Sequence, residues 1–423
     1  MKLPKSGRIL VGVLGSVALA VGACSLLAWR EVLDPIEPPA AHDFDAASVR
    51  RGAQLAALGD CGPCHTRSQG EALAGGRPIA TPFGTIFSTN ITPDPQTGIG
   101  RWSRAAFRRA MREGVDREGR HLYPAFPYDH FTLVSDADDA ALYAYLMTRR
   151  PIRAQAQENH LTFPMNVRWV VAAWKLWFFR QGPYQSDAAH DRQWNQGAYL
   201  ANGLAHCGAC HTPRNRFGAE NPSQGFAGTE TDGWYAYAID SAAHARVRWD
   251  AKALNVYLHY GWHDQHGVAL GPMAEVTAGL GDVPDGDRTA IAVYVASLMN
   301  PPRLPAAGKA PSGQASSGDG ERIYTATCAQ CHDGTRPLPF GGVQLELSTA
   351  VTGDSAINLV NVVLNGLRPS EGAAGPIMPG FASALTDTQL DALMSYLRMH
   401  FAGKAPWPAA IERVREARRR ARD

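Results

Sequence analysis

Cysteine is scarce outside one pattern. The chain has seven cysteines, and six of them stand in three Cys-x-x-Cys-His pentapeptides. Only Cys24 is left over, so no disulfide staples the globular part. There is no G-x-G-x-x-G dinucleotide fingerprint and no phosphate-cradling P-loop, so the common nucleotide sites are excluded. An excess of one charge sign is nearly absent as well. The formal net charge is +2 over 423 residues, with basic excess at both ends and a net acidic body between them. That balance excludes a nucleic-acid binder by charge. Composition is otherwise that of a globular protein, 45% hydrophobic and 19% charged, and the length allows two to four domains.

The pentapeptides are Cys61-Gly62-Pro63-Cys64-His65, Cys207-Gly208-Ala209-Cys210-His211 and Cys328-Ala329-Gln330-Cys331-His332. Each is the attachment signature of a c-type haem. Two thiols add across the haem vinyl groups as thioethers, and the next residue, histidine, binds iron from one side. The spacing lets all three groups reach one macrocycle from about one helical turn. A redox dithiol or half a zinc site needs no histidine at that place. Three covalently bound haem c groups are therefore expected, held by Cys61, Cys64, His65, Cys207, Cys210, His211, Cys328, Cys331 and His332. A chain with three such groups moves electrons.

Repetition extends beyond the motifs. Each is preceded by an amphipathic helix pattern containing Gly52, Gly197 or Gly320, with cysteine following by 9, 10 and 8 residues. Each unit closes on an apolar-periodic helix: Asp138 to Met147, Asp287 to Met299 and Thr386 to Met399. The last begins with Asp387 close to the N-cap position. A middle helix led by Trp102-Ser103 recurs at Trp249-Asp250. The predicted architecture is mainly α: three tandem class I cytochrome c-like domains behind an N-terminal membrane anchor or signal segment. The expected order is signal or anchor (1–33), domain one (34–150), aromatic connector (151–188), domain two (189–300), Pro/Ala/Gly/Ser-rich flexible linker (301–318), domain three (319–403) and basic tail (404–423).

Lys2, Lys5 and Arg8 precede 21 uncharged residues from Ile9 to Trp29, enough to span a bilayer. The basic flank predicts the N-terminus inside and the body outside the cytoplasm. An uncleaved anchor is favoured because the apolar run continues through Ser25 to Trp29. Cleavage after Ala23 and lipidation at Cys24 are the alternatives. The connector carries Trp169, Trp174 and Trp177. Dense aromatics are usually buried, so packing between the first two haem domains is favoured over a partner or membrane surface. The arginine-rich tail is expected to be solvated and partly disordered rather than a lipid-binding helix.

A low-spin haem needs a sixth ligand, and His/Met ligation raises the potential relative to His/His. Met273 follows His211 by 62 residues, and Met378 follows His332 by 46. Both are expected in loops before the closing helix, where a thioether can reach iron. Other methionines, such as Met111, Met147 and Met299, lie inside apolar helix patterns and read as core. At the equivalent place 61 residues after His65 stands Phe126, which cannot ligate. His130 is the preferred candidate there, with Met165, Met147 or an open iron as alternatives. Arg77 and Tyr123 are weaker candidates for pairing with haem propionates.

The segments Gly75-Gly76-Arg77-Pro78-Ile79-Ala80-Thr81-Pro82-Phe83-Gly84-Thr85-Ile86-Phe87-Ser88-Thr89-Asn90-Ile91-Thr92-Pro93-Asp94, Gly119-Arg120-His121-Leu122-Tyr123-Pro124-Ala125-Phe126-Pro127-Tyr128 and Gly271-Pro272-Met273-Ala274-Glu275-Val276 are distinctive. With the haem motifs, they resemble the three-haem cytochrome c subunit of bacterial membrane-bound dehydrogenases, over nearly everything from Ala47 to Phe401. That family serves quinoprotein alcohol dehydrogenases, flavoprotein gluconate and sorbitol dehydrogenases, and molybdoprotein aldehyde or N-heterocycle oxidoreductases. The resemblance implies a periplasmic, membrane-associated subunit. It would take electrons from a catalytic dehydrogenase subunit and pass them to ubiquinone or a downstream cytochrome or oxidase. Many members carry Met where Phe126 stands. No substrate-oxidising site of the chain's own is expected. A free-standing carrier, and a haem enzyme acting at an open first iron, are the other classes.

Overall fold

The structure is a computed structural model that describes residues 28–243, 245–299, 318–332, 342–369 and 375–420. The expected anchor up to residue 27 and most of the 301–318 linker lie outside these residues. Among the described residues no helix is long and apolar enough to cross a membrane. The chain divides into two compact units. The first holds 28–186 plus 202–206, and the second holds 187–201 and the described residues from 207 onward.

In the first unit, α1 (Ala46–Leu58) runs into a single-turn helix, α2 (Cys61–Cys64). A hairpin of β1 (Pro78–Thr81) and β2 (Gly84–Phe87) follows. Then come α3 (Arg104–Glu113), the short α4 (Tyr128–Phe131) and α5 (Asp136–Met147). Strand β3 (His160–Leu161) joins the edge of β2, and α6 (Arg168–Phe178) ends the unit. The starts follow side-chain chemistry. Asp45, Ser103 and Ser135 each accept hydrogen bonds from the first-turn amides of α1, α3 and α5. Gly114, with φ of 58°, ends α3.

The connector differs from its expected packing. Of its three tryptophans, only Trp174 turns inward, edge-on to Tyr128 with centroids 6.5 Å apart. Trp169 and Trp177 are exposed. The inward face of α6 is taken by Val171, Ala172 and Lys175, which leaves these two tryptophans on the outer side.

The second unit opens with α7 (Arg192–Asn202), α8 (Gly208–His211) and a hairpin of β4 (Thr229–Thr231) and β5 (Trp234–Ala236). It continues through α9 (Ala251–Tyr260), α10 (Pro272–Gly281) and α11 (Asp285–Leu298). The last group is α12 (Gly318–Thr327), α13 (Ala329–His332), α14 (Thr349–Thr352), α15 (Ile357–Asn365), α16 (Asp387–Leu397) and α17 (Ala410–Arg420). Asp250 caps α9, while Thr386 rather than Asp387 caps α16, in a reciprocal capping box with Gln389.

One crossing is built three times. A Cβ on Gly52 of α1 would strike the Ala141 carbonyl and sit 2.6 Å from Cβ of Tyr145 in α5. On Gly197 of α7 it would strike Ala290 O and sit 2.8 Å from Tyr294 Cβ in α11. On Gly320 of α12 it would strike Ala392 O and sit 2.8 Å from Tyr396 Cβ in α16. Only glycine lets each leading helix meet its closing helix backbone to backbone.

The basic tail is a helix packed on one face rather than a partly disordered segment. Ala410, Val414 and Ala417 of α17 are buried at helical spacing in the core of the last group. Its arginines are engaged: Arg418 donates to Ala382 O at 2.6 Å and pairs with Asp387, and Arg413 pairs with Glu230. The segment before it is tied down by Lys404 to Thr352 O (2.8 Å) and Trp407 Nε1 to Gly353 O (3.1 Å). The expectation failed because an apolar face of small residues suffices once the guanidinium groups find carbonyl and carboxylate partners.

Replacing Gly197 by alanine is expected to cost about 1–3 kcal/mol through overpacking. Gly286→Ala, whose Cβ would meet open space, is expected to be neutral or slightly stabilising. Guanidinium unfolding of the two haem-loaded variants checks the contrast.

Candidate haem-attachment sites

The three motifs share one backbone geometry. His65 N donates to Cys61 O (3.0 Å), His211 N to Cys207 O (3.0 Å) and His332 N to Cys328 O (2.9 Å). Each i to i+4 bond closes one helical turn, which sets both thiols and the imidazole on the same side. Burial pushes the Cys61 and Cys207 thiols up to about 12, and raises Cys328 too. A redox dithiol requires the opposite shift. Burial lowers the pKa of His65, His211 and His332, favouring the neutral imidazole that binds metal.

Two of the histidines are oriented in the same way. His65 Nδ1 lies 2.7 Å from Thr89 O, and His211 Nδ1 lies 2.6 Å from Tyr237 O. With Nδ1 bonded to a carbonyl, Nε2 is the nitrogen that would bind iron, and the bond raises its basicity. The carbonyls come from matched places, just past the second strand of each hairpin. Entry to each hairpin needs glycine. Gly75 (φ 77°) donates from N to His65 O at 2.7 Å, and Gly228 (φ 80°) to His211 O at 2.8 Å. A Cβ on Gly228 would lie 2.6 Å from Ala238 N, against the strand end that presents Tyr237 O. His332 Nδ1 has no partner among the described residues, and Tyr324 Oη donates to His332 O at 2.6 Å.

Arginines brace the turns. Arg77 Nη1 donates to Pro63 O at 2.8 Å, and Arg214 Nη2 to Ala209 O at 2.9 Å. Both carbonyls belong to the third residue of a motif. Arg77 thus holds the attachment turn itself. Tyr123 lies under the Arg168 guanidinium, 4.9 Å from ring centroid to Cζ.

Met378 is half-buried against the core of the last group and pairs its backbone with Leu367 in both directions, at 2.9 and 3.1 Å. Gly366, with φ of 73°, permits that close pass. Met273 lies in the first turn of α10 rather than in a loop, because Pro272 at the first helical position starts the helix early. Gly271 before it has φ of 55°, and a Cβ there would lie 2.5 Å from Trp234 Cε2. His130 stands on α4, with Nδ1 2.7 Å from Asn202 O, the same carbonyl pairing as His65 and His211. Phe126 packs edge-on against Phe131, centroids 5.2 Å apart. Sequence reasoning missed the hairpins, their glycines and the carbonyls of Thr89 and Tyr237. The repeated Ala-Gly before a short strand pair, at Ala74-Gly75 and Ala227-Gly228, was the available signal.

The hairpin of the second unit has a further partner. Side chains complete β5: Tyr235 N donates to Asn358 Oδ1 (2.8 Å), and Asn358 Nδ2 donates to Tyr235 O (2.9 Å). Asn361 Nδ2 donates to Gly233 O at 2.9 Å. Two amides of α15 thus dock the last helical group on the hairpin that holds His211.

The donor set suits covalently held haem: paired thiols on one turn, a neutral imidazole, and its Nδ1 fixed by a carbonyl. A mainly helical chain with this set is an electron-transfer protein of the c-type cytochrome class. Residues 315–397 match the family described as cytochrome c oxidase, cbb3-type, subunit III. The chain is 45% identical over 415 residues to a nicotinate dehydrogenase subunit of Pseudomonas putida, covering 97% of this chain and 35% of that protein. It is 35% identical over 434 residues to the fructose dehydrogenase cytochrome subunit of Gluconobacter japonicus (95% and 89%). It is 32% identical over 442 residues to the cytochrome c subunit of the quinone alcohol dehydrogenase of Gluconobacter oxydans (98% and 88%). The chain belongs to the cytochrome c subunits of dehydrogenase complexes, a family that carries covalently bound haem c. It spans about a third of the length of the nicotinate dehydrogenase relative.

Arg77→Gln is expected to lower the stability of the haem-loaded protein by about 1–2 kcal/mol, the loss of a charge-assisted bond to Pro63 O. Denaturation followed at the haem absorbance measures it, and an unchanged midpoint would refute the bracing role.

Proposed function

We propose that this chain is a triple-haem relay, built of three tandem cytochrome c-like domains, which takes electrons from a catalytic dehydrogenase subunit. It hands them to ubiquinone or a downstream cytochrome or oxidase on the periplasmic side of the cytoplasmic membrane. The observation that carries the reading is the threefold recurrence of one constellation. A glycine-tight helix crossing stands beside a one-turn Cys-x-x-Cys-His each time. The basic and apolar segment from Lys2 to Trp29 accounts for export and tethering.

Bound haem supplies a one-electron carrier, so three of them split the two electrons of a substrate oxidation into single transfers. The residues of the chain do the rest. Cys61 and Cys64, Cys207 and Cys210, and Cys328 and Cys331 would fix each porphyrin by thioethers. His65, His211 and His332 would bind the iron, two of them held in one tautomer by Thr89 O and Tyr237 O. Met273 and Met378 would supply the second ligand in the second and third domains. His130 would supply it in the first, and an imidazole there would set that site lower in potential than the other two.

Relatives whose sequence this chain matches are named for nicotinate, fructose and alcohol. The organic substrate therefore belongs to the partner's chemistry and not to this chain. Identity is higher to the nicotinate relative, at 45%, than to the fructose and alcohol relatives, at 35% and 32%. That favours an N-heterocycle-oxidising molybdoprotein as partner over a quinoprotein or flavoprotein.

The intact mass of the exported chain should exceed the polypeptide mass by three haems; a shortfall would refute the triple relay. Met378→His should lower one midpoint potential by on the order of 0.1 V, within the roughly 0.8 V span that axial ligands command, and leave the other two in place. Molybdenum should co-purify with the native complex.

A further inference from the structure

Helix α6 carries an outward stripe that the relay does not use. Trp169 is 55% exposed, Leu176 57% and Trp177 73%. With Ala173 they lie at i, i+4, i+7 and i+8, on one side of the helix. The opposite side is buried through Val171, Ala172 and Lys175. The turn that leads into the helix adds Phe163, 81% exposed. Large apolar side chains on one outward face mark an interaction surface rather than scattered surface residues.

Two observations choose the occupant. The first is charge. From Leu161 to Ser186 there is no acidic residue, while Arg168 is half-buried and Arg180 exposed; Lys175, the third cation, is turned inward. Tryptophan with flanking cations is the composition of a helix lying at a lipid headgroup boundary. The second is where the N-terminal apolar run ends. Its last residues are held beside this helix by one buried side chain, His121. His121 Nε2 lies 2.8 Å from Ala28 O, and His121 Nδ1 lies 3.1 Å from Lys175 Nζ. Arg168 Nη1 donates to His121 O at 2.6 Å. Trp29 and Val32 are themselves exposed at that exit, and Arg109 secures Glu31 O at 2.8 Å. The last residues of the apolar run, at Ala28, and the inner side of α6, at Lys175, therefore meet the same residue of the fold, which places the stripe on the outer side of the helix next to that exit.

We propose that α6 lies flat in the headgroup layer of the membrane, with Trp169, Leu176 and Trp177 entering the acyl boundary beside the N-terminal segment. This second contact fixes the orientation of the first unit on the bilayer, which a single flexible tether does not. The inference rests on the membrane-associated reading above and adds the surface that touches lipid.

The test uses the full chain expressed in its membrane, with a photo-reactive phenylalanine analogue replacing Leu176. Irradiation should yield lipid adducts about tenfold above those from the same probe at Ser223, an exposed site elsewhere. Adducts to another polypeptide at position 176 would make the stripe a protein interface and overturn the proposal. Adducts no more frequent than at the control would also overturn it. Membrane fractionation separates the two levels. A chain recovered in the soluble fraction overturns tether and stripe together, while a membrane-bound chain without lipid adducts overturns the stripe alone. The double variant Leu176→Ser/Trp177→Ser removes only exposed side chains and should keep its haem spectrum. It should bind anionic vesicles about tenfold more weakly.

Discussion

The structure depends on three places where two helices touch without a side chain between them. Gly52, Gly197 and Gly320 each face an alanine carbonyl and the Cβ of a tyrosine one turn later. Sliding any side chain into that gap moves the leading helix outward, and the attachment turn follows directly from the leading helix. The crossing therefore fixes where both thiols and the first axial ligand sit. Glycine costs helix stability in isolation, yet here the backbone approach outweighs that cost because it aligns the elements that must surround one macrocycle.

From the crossing outward the three sites diverge in how the imidazole is steered. The first two use a hairpin entered through a left-handed glycine, and the strand end offers a carbonyl to Nδ1. The second hairpin is then shared. Asn358 pairs with Tyr235 as a neighbouring strand would, two residues before the carbonyl that holds His211. Polar side chains on an otherwise apolar helix are costly unless satisfied, and Asn358 and Asn361 are satisfied by this hairpin backbone in the second unit. Their bonds make the last helical group part of the support of the second site, so the stretch expected to be a flexible linker spans two groups that share one compact unit.

Much of this was legible in the chain. The motifs, the leading and closing helices, the middle helices that start at Ser103 and Asp250 and the core methionines all follow from local rules of spacing and periodicity. What escaped depends on tertiary partners. The tryptophans of α6 looked buried because aromatics usually are, but Lys175 took the inner face by donating to Glu113 O and Gly114 O. The arginines of α17 looked solvated because charge usually is, yet Glu230, Asp387 and two carbonyls were waiting for them. Ala-x-x-x-Tyr in each closing helix was visible all along; only its pairing with glycine gives it meaning.

The first site is where local and tertiary arguments bear on each other most. Phe126 occupies the place of a ligand, and its ring is committed to Phe131. The next imidazole along the chain, His130, has its Nδ1 on Asn202 O, the carbonyl pairing also made by His65 and His211. On the proposed ligation, a histidine there and methionines at 273 and 378 would make a chain of unequal sites. Unequal potentials give a relay a direction. The asymmetry that breaks the repeat is in this way the feature that a repeat alone cannot supply.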